Sequence, residues 1–236
     1  MKIEKPIGRR KFLQAAAVFG SGACLTGCAS MNADKTKAPG EGEEEVSPAE
    51  DLMREHGVLK RVLLTYREAL RRMAAHQDLP PEPLADGARL IREFIEDYHE
   101  KLEEDFLFPR FRKANVQVEL VEVLMQQHQA GRRLTDLTLR LSTPAALKND
   151  GDRTRLAGSL EKFIRMYEPH EAREDTVLFP AMRKIMTRHE YDALGEDFER
   201  KEHQLFGEEG FEKMADRVAV IEKQLGIYEL GQFTPQ

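Results

Sequence analysis

The amino-acid sequence predicts an all-α fold: an up-down-up-down four-helix bundle with a pseudo-two-fold internal repeat plus extra C-terminal helices. Apolar residues recur at alternating steps of three and four, which is the spacing of one buried helix face. The chain of 236 residues has 33% charged residues and no Trp, and runs typical of strands are scarce, as expected of soluble helices. One stretch also occurs twice, as YHEKLEEDFLFP at 98–109 and PHEAREDTVLFP at 169–180.

Residues 1–28 have the pattern of an export signal. GRRK at 8–11 is a twin-arginine pattern, and a short apolar stretch follows it and ends in LTGC at 25–28. That stretch is too short and too rich in Gly and Ala for a membrane helix, whereas a twin-arginine segment is an address for export. LTGC resembles a bacterial lipobox, so a lipid anchor at Cys28 and simple cleavage both stay open. We expect twin-arginine export to the periplasm, with the protein either free there or a membrane-anchored lipoprotein facing the periplasm.

The next segments predict a linker and then the bundle. Residues 29–47 are small, polar and acidic, which is typical of a flexible linker. Four amphipathic seams follow within residues 48–186, and they predict the four bundle helices. Residues 79–83 and 142–152 interrupt the seams, because Pro, Asn, Asp and Gly are concentrated there.

Residues 187–236 predict a C-terminal helical extension. Thr187 is followed three residues later by Glu190, the pattern of a capping box at the start of a helix. Gly207 and Gly210 are expected to divide the extension into two helices.

Charge and cysteine usage limit the partners. The net charge of −6 argues against a nucleic-acid partner, which would need a basic face. Both cysteines, Cys24 and Cys28, lie in the export signal, so the bundle offers no thiolate ligand and any metal there must be held by histidine and carboxylate. Nothing in the sequence indicates a protein partner.

Histidine and glutamate side chains lie on the apolar seams of all four bundle helices. Two helices carry one seam histidine, and the other two carry a histidine followed four residues later by a glutamate. The six residues are His56, His99, Glu103, His128, His170 and Glu174. Positions i and i+4 share a helix face, so His99 with Glu103 and His170 with Glu174 each point the same way, and the apolar seams indicate that this direction is inward. Burying these polar side chains without partners would cost free energy. A site of imidazole and carboxylate ligands suits Fe, Mn or Zn, and iron is favoured. Two glutamates placed between two pairs of histidines predict a site for two metal ions.

The order His, His-x3-Glu, His, His-x3-Glu resembles the hemerythrin-like (HHE cation-binding) domain family over roughly residues 48–186. With the twin-arginine signal, the chain is similar to a bacterial exported member of that family. The resemblance implies two non-haem Fe ions joined by an oxo or hydroxo bridge and held by the six residues. It also implies that Glu103 and Glu174 bridge the two ions.

The sequence departs from the oxygen-carrying hemerythrins at two positions. Those proteins have His-x3-His on the third helix, whereas here Arg132 stands four residues after His128. They end in His-x4-Asp, whereas here Glu174 lies four residues and Asp175 five residues after His170. Asp175 therefore stays open as an alternative to Glu174. The missing histidine leaves an extra open or water-filled position, which disfavours reversible oxygen carriage.

We expect a di-iron protein that binds or senses a small diatomic ligand, oxygen or nitric oxide, or peroxide. Three alternatives stay open: a di-iron oxidoreductase acting on peroxide or nitric oxide, an iron delivery or repair protein, and a purely structural bundle. No catalytic residue is assigned. Three further residues are candidates to join the site, namely Tyr66, Tyr167 and His203.

Overall fold

The computed structural model describes residues 46–235, so the export signal and nearly all of the predicted linker lie outside the described residues. Within this range the chain forms seven helical rods and contains no strand. Helix α1 spans Pro48–Ala74; α2 consists of Pro81–Leu90, Ile91–His99, Glu100–Leu102, Glu103–Leu107 and Phe108–Ala114 in direct succession; α3 spans Val118–Leu141. The short helix α4 spans Pro144–Lys148; α5 consists of Asp150–Arg173, Glu174–Leu178 and Phe179–Ile185; α6 spans Arg188–Phe206 and α7 spans Gly210–Leu225. The all-α prediction is confirmed.

The helices begin where local chemistry satisfies their first N–H groups. Ser47 Oγ accepts the Glu50 N–H at 3.3 Å, and Pro48 occupies the first helical position, where no N–H is needed. Proline has the same role at the start of α2. The interruption lies earlier than the predicted 79–83, because α1 ends at Ala74 and α2 already begins at Pro81.

Helices α1, α2, α3 and α5 form the bundle. Helix α5 packs against α1 and α3, and α2 packs against the same two helices. Each contributes apolar side chains that are almost fully buried, such as Leu59, Phe94, Leu124 and Phe163. None of the helices within residues 46–235 is both long and apolar enough to cross a membrane.

Two helical rods widen into π-helical turns at the glutamates of the predicted site. The Phe108 N–H donates to the carbonyl of Glu103, and the Phe179 N–H donates to the carbonyl of Glu174, each five residues earlier. A proline directly follows each phenylalanine. Because proline has no N–H for the carbonyl four residues before it, a wider turn suits these positions, and such turns are frequent at functional sites.

The C-terminal extension covers one side of the bundle. Thr187 and Glu190 form the predicted capping box, with Thr187 N–H donating to Glu190 Oε2 at 2.8 Å. Helix α6 ends at Gly207, whose φ of 81° favours glycine, and α7 begins at Gly210, as predicted. Helix α7 lies against α1 and α2. The extension belongs to the same compact unit as the bundle.

Candidate metal centre

The structure brings all six predicted side chains together in one interior layer of the bundle. Helix α1 provides one of them, α2 two, α3 one and α5 two; in that order they are His56, His99, Glu103, His128, His170 and Glu174. Each of these residues is at most 4% exposed. The layer is therefore buried within the bundle.

Each glutamate lies between one histidine from each half of the chain. Glu174 Oε2 is 3.4 Å from His56 Nε2 and 3.1 Å from His170 Nε2. Glu103 Oε2 has the matching position: it is 3.7 Å from His99 Nε2 and 3.4 Å from His128 Nε2. The sequence repeat is thus reproduced in the geometry of the site.

The histidines form two neighbouring pairs. The ring centroids of His56 and His99 are 4.7 Å apart, and those of His128 and His170 are 5.1 Å apart. In each pair, one ring nitrogen from each histidine and one oxygen of Glu174 lie within 4.8 Å of one another. This arrangement offers two adjacent ligand groups that share a carboxylate, the form expected for two metal ions.

The inward-facing atoms are not satisfied by the protein. All four carboxylate oxygens of Glu103 and Glu174 lack a hydrogen-bond partner, as do the Nε2 atoms of His99 and His128. Burying ionised oxygens without partners costs several kcal/mol, and a bound cation removes that cost. Nitrogen and oxygen donors of this kind suit iron, manganese or zinc.

Two histidines are held through Nδ1 by the carboxylates that directly follow Glu174 and Glu103 in the sequence. Asp175 Oδ1 is 2.7 Å from His56 Nδ1, and Glu104 Oε1 is 3.1 Å from His128 Nδ1. Because a carboxylate accepts the Nδ1–H, the Nε2 lone pair points inward, as metal-binding histidines require. Asp175, the alternative ligand, therefore lies on the outer side of His56.

The residue before each single seam histidine holds a histidine of the next bundle helix. Glu55 Oε2 is 2.8 Å from His99 Nδ1, and Gln127 Oε1 is 2.8 Å from His170 Nδ1. Sequence reasoning missed Glu55, Glu104 and Gln127. Each of them directly adjoins a predicted site residue in the sequence, and Glu55 and Gln127 occupy equivalent positions of the repeat. That placement could have identified them.

Arg132, which replaces a fifth histidine, joins a buried ion-pair network. Its Nη2 is 2.7 Å from Glu100 Oε2 and 2.8 Å from Glu104 Oε1. The Tyr167 hydroxyl donates to Glu100 Oε1 at 2.6 Å, and its ring centroid lies 5.2 Å from that of His170. Tyr167 therefore borders the site, with its hydroxyl engaged by a carboxylate.

The other two candidates lie elsewhere. Tyr66 is buried and packs edge-on against Phe163, with ring centroids 5.6 Å apart. Among the described residues, none of the six site residues forms a ring contact or hydrogen bond with it. His203 is 39% exposed on α6, with Glu199 3.9 Å away. The structure thus does not bring His203 to the site.

The ionisable groups of the site have opposed pKa shifts. Burial raises the pKa of Glu103, and the neighbouring Glu174 carboxylate raises it further, well above the ordinary value. Burial also opposes ionisation of Glu174, but the imidazoles of His170 and His56 outweigh burial and hold its pKa well below the ordinary value. Burial, together with the charge of His56, lowers the pKa of His99. Without a metal, the layer therefore favours one protonated and one ionised glutamate, and metal binding would release the proton.

Comparisons with known proteins agree with this geometry. A family model described as the hemerythrin HHE cation binding domain matches residues 47–145 and again 119–226. Relatives include uncharacterized proteins of Mycobacterium bovis (strain ATCC BAA-935 / AF2122/97) and Mycobacterium tuberculosis (strain ATCC 25618 / H37Rv). Each is 46% identical over 237 residues, an alignment that covers 97% of this chain and 91% of the relative. No solved structure gives a significant match.

Proposed function

Because the chain belongs to the hemerythrin HHE cation-binding family, whose metal-binding helical bundle it shares, we propose that it holds two iron ions and binds or senses oxygen, nitric oxide or peroxide. One observation carries this proposal. Imidazole nitrogens of four histidines face two buried carboxylates whose oxygens have no hydrogen-bond partner. A dinuclear metal centre satisfies all of these atoms at once.

The donor set fits two ions in a symmetric arrangement. One ion would take His56 and His99, the other His128 and His170, and both would share the glutamates, Glu103 and Glu174. Iron in such a site supplies redox chemistry and coordination positions for a small ligand.

The protein's own residues orient the donors and limit water. Phe179 stacks on the His56 ring and Phe108 on the His128 ring, each with centroids 5.5 Å apart and planes 22° apart. An apolar cover of this kind restricts solvent and lowers the local dielectric. Such a site suits a small, weakly polar ligand better than a bulky substrate.

Metal content and absorption spectra of the full chain test this proposal. Protein loaded with Fe²⁺ without oxygen should contain about two irons per chain, and its spectrum should change on adding oxygen, nitric oxide or peroxide. His170→Ala should lose iron, whereas His203→Ala, an exposed histidine outside the site, should keep it. Zinc alone, no metal, or a spectrum indifferent to all three ligands would contradict the proposal.

A di-iron oxidoreductase is the second candidate, and the position of Tyr167 favours it. A phenol ring against His170 places a redox-capable side chain beside the site. Iron-loaded protein should then consume peroxide over many turnovers, or nitric oxide when an added reductant supplies the electrons, and Tyr167→Phe should slow it while keeping two irons. Binding without turnover would leave sensing as the function.

We also propose that the protein acts in the periplasm, free or anchored through a lipid on Cys28. The support is the GRRK pattern at 8–11 followed by LTGC at 25–28. Cell fractionation should find the protein outside the cytoplasm, and replacing Arg9 and Arg10 together with Lys should retain it inside. Cys28→Ala should release it from membranes only if a lipid is attached. Cytoplasmic location of the unchanged protein would refute export.

A further inference from the structure

We infer that the two metal positions are unequal, and that the position of His128 and His170 is the exchangeable one, reached through a surface cleft beside Gln127. This inference rests on the proposed dinuclear site. It concerns the outer partners of the histidines and the access to them, not the six inner residues.

The outer partners break the internal symmetry at one residue. Glu55 and Gln127 occupy equivalent positions of the repeat, and each accepts a hydrogen bond from a histidine Nδ1 at 2.8 Å. The partner of His99 is thus a carboxylate, whereas the partner of His170 is a neutral amide. Of the four Nδ1 partners in the site, Gln127 is the neutral one.

This difference changes how strongly each histidine binds a cation. A carboxylate that accepts the Nδ1–H makes the imidazole a stronger electron donor, and hydrogen bonds to ionised acceptors are roughly twice as strong as neutral ones. His56 and His99 each have such a partner, but His170 has none. Loss of an outer partner typically costs roughly 10- to 100-fold in metal affinity.

Glu104, the carboxylate that holds a histidine of the His128–His170 pair, is also a weakened partner. Glu104, the partner of His128, is shared with Arg132 at 2.8 Å and with Lys101. Its counterpart Asp175 has Lys60 at 3.4 Å, and Lys60 is 52% exposed. Two cations, of which Arg132 is only 22% exposed, draw more of the negative charge of Glu104 away from its histidine than the single cation Lys60 draws from Asp175.

A cleft leads from the surface to the weaker position. It has a volume of about 340 Å³ and lies between α3 and α5, with Gln127 and His170 among its lining residues. Glu119 and Arg173 line it at exposed positions. His56 and His99 are not part of its lining. The cleft thus reaches the outer side of His170, one of the two histidines that would hold this ion, and Gln127 lies beside it.

The rate of iron release tests the inference. The full chain is loaded with two Fe²⁺ per molecule without oxygen and mixed with a colorimetric ferrous chelator. We expect two phases of equal amplitude, one ion leaving fast and the other slowly. Gln127→Glu should slow the fast phase by roughly 10- to 100-fold, because it restores the carboxylate partner. Gln126→Glu, an exposed neighbour on α3 that adds the same charge, should leave both phases unchanged.

A second variant tests the cleft without touching the outer partners. Val123 lines the cleft and is 49% exposed, so Val123→Trp should narrow the cleft and slow the fast phase. Val220→Trp, at a position of similar exposure on α7, is its control and should have no effect. Release of both ions at one rate, with no response to Gln127→Glu or Val123→Trp, would overturn this inference but not the proposed function. Failure to bind two irons would overturn the proposed function as well.

Discussion

The hydroxyl oxygen of Tyr167 lies 2.1 Å from the point where a Cβ on residue 131 would stand. Gly131 therefore lets the tyrosine ring lie directly against the backbone of α3, where the hydroxyl reaches Glu100 and the ring contacts His170. This glycine is required by a close approach of two helices beside the metal centre, not by a turn.

Gly131→Ala should displace the Tyr167 ring and break its hydrogen bond to Glu100. Forcing a methyl group into this contact should lower the free energy of unfolding by about 1–3 kcal/mol, measured by urea titration. Gly158→Ala is the control, since an added Cβ there meets nothing within 4 Å. Removing a helical glycine without a clash should stabilise by roughly 0.5–1 kcal/mol. Equal urea midpoints for the two variants would show that the contact is not tight.

Arg132→Met should destabilise the bundle because the buried carboxylate of Glu100 loses its cation and Glu104 keeps only Lys101. We expect a loss of about 3 kcal/mol, the low end for a broken buried pair, since Arg132 is 22% exposed. Arg133→Met removes the same charge at an exposed neighbouring position and should stay within about 0.5 kcal/mol. Chemical denaturation of the two variants measures the difference, and similar losses would argue against a structural role of the network.

Glu103→Gln should not destabilise the metal-free protein, but it should reduce the gain in stability that iron provides. In chelated protein the amide resembles the protonated acid that burial and Glu174 already favour, so thermal stability should be unchanged or higher. Added iron should raise the melting temperature of the original protein, since a ligand at 100 times its dissociation constant stabilises by about 2.7 kcal/mol. The variant should lose most of this rise, whereas the exposed control Glu161→Gln should keep it. A full iron-dependent rise in Glu103→Gln would remove Glu103 from the ligand set.

The buried carboxyl of Glu96 should make stability fall as the pH rises from 4.5 to about 7. Burial raises its pKa to about 7 from 4.5, although Thr135 and Arg92 oppose the shift. Below pH 4.5 the group is protonated in both folded and unfolded chains, so its contribution to stability is complete. Between pH 4.5 and about 7 the unfolded chain ionises more readily, and the contribution is lost.

Glu96→Gln should remove this pH dependence, because its amide still accepts from Thr135 but carries no proton to lose. Relative to the original protein, the variant should gain up to about 3 kcal/mol between pH 5 and pH 8, measured by urea unfolding with chelator present. Taking the difference cancels groups whose raised pKa does not depend on Glu96, such as Glu171. Parallel pH curves for the two proteins would contradict a buried, shifted carboxyl.

The sequence predicted the helices and the inward position of the six residues because both depend on local spacing, whereas their role as metal ligands stays a prediction. A seam with steps of three and four, and His99 four residues before Glu103, define helix faces without reference to the rest of the chain. The capping box at Thr187 and the division at Gly207 are equally local, and both predictions are confirmed. The export signal and nearly all of the linker lie outside the described residues, so both stay predictions.

The sequence by itself thus determined an all-α bundle, its internal repeat and six inward side chains. Only the tertiary structure decided which histidines share a glutamate, that Gln127 rather than a carboxylate holds His170, and that Arg132 faces Glu100 and Glu104. It also placed Tyr167 against Gly131. These relations depend on the rotation and axial register of one helix against another, which the period of a single helix does not specify. Inter-helix packing fixes these relations.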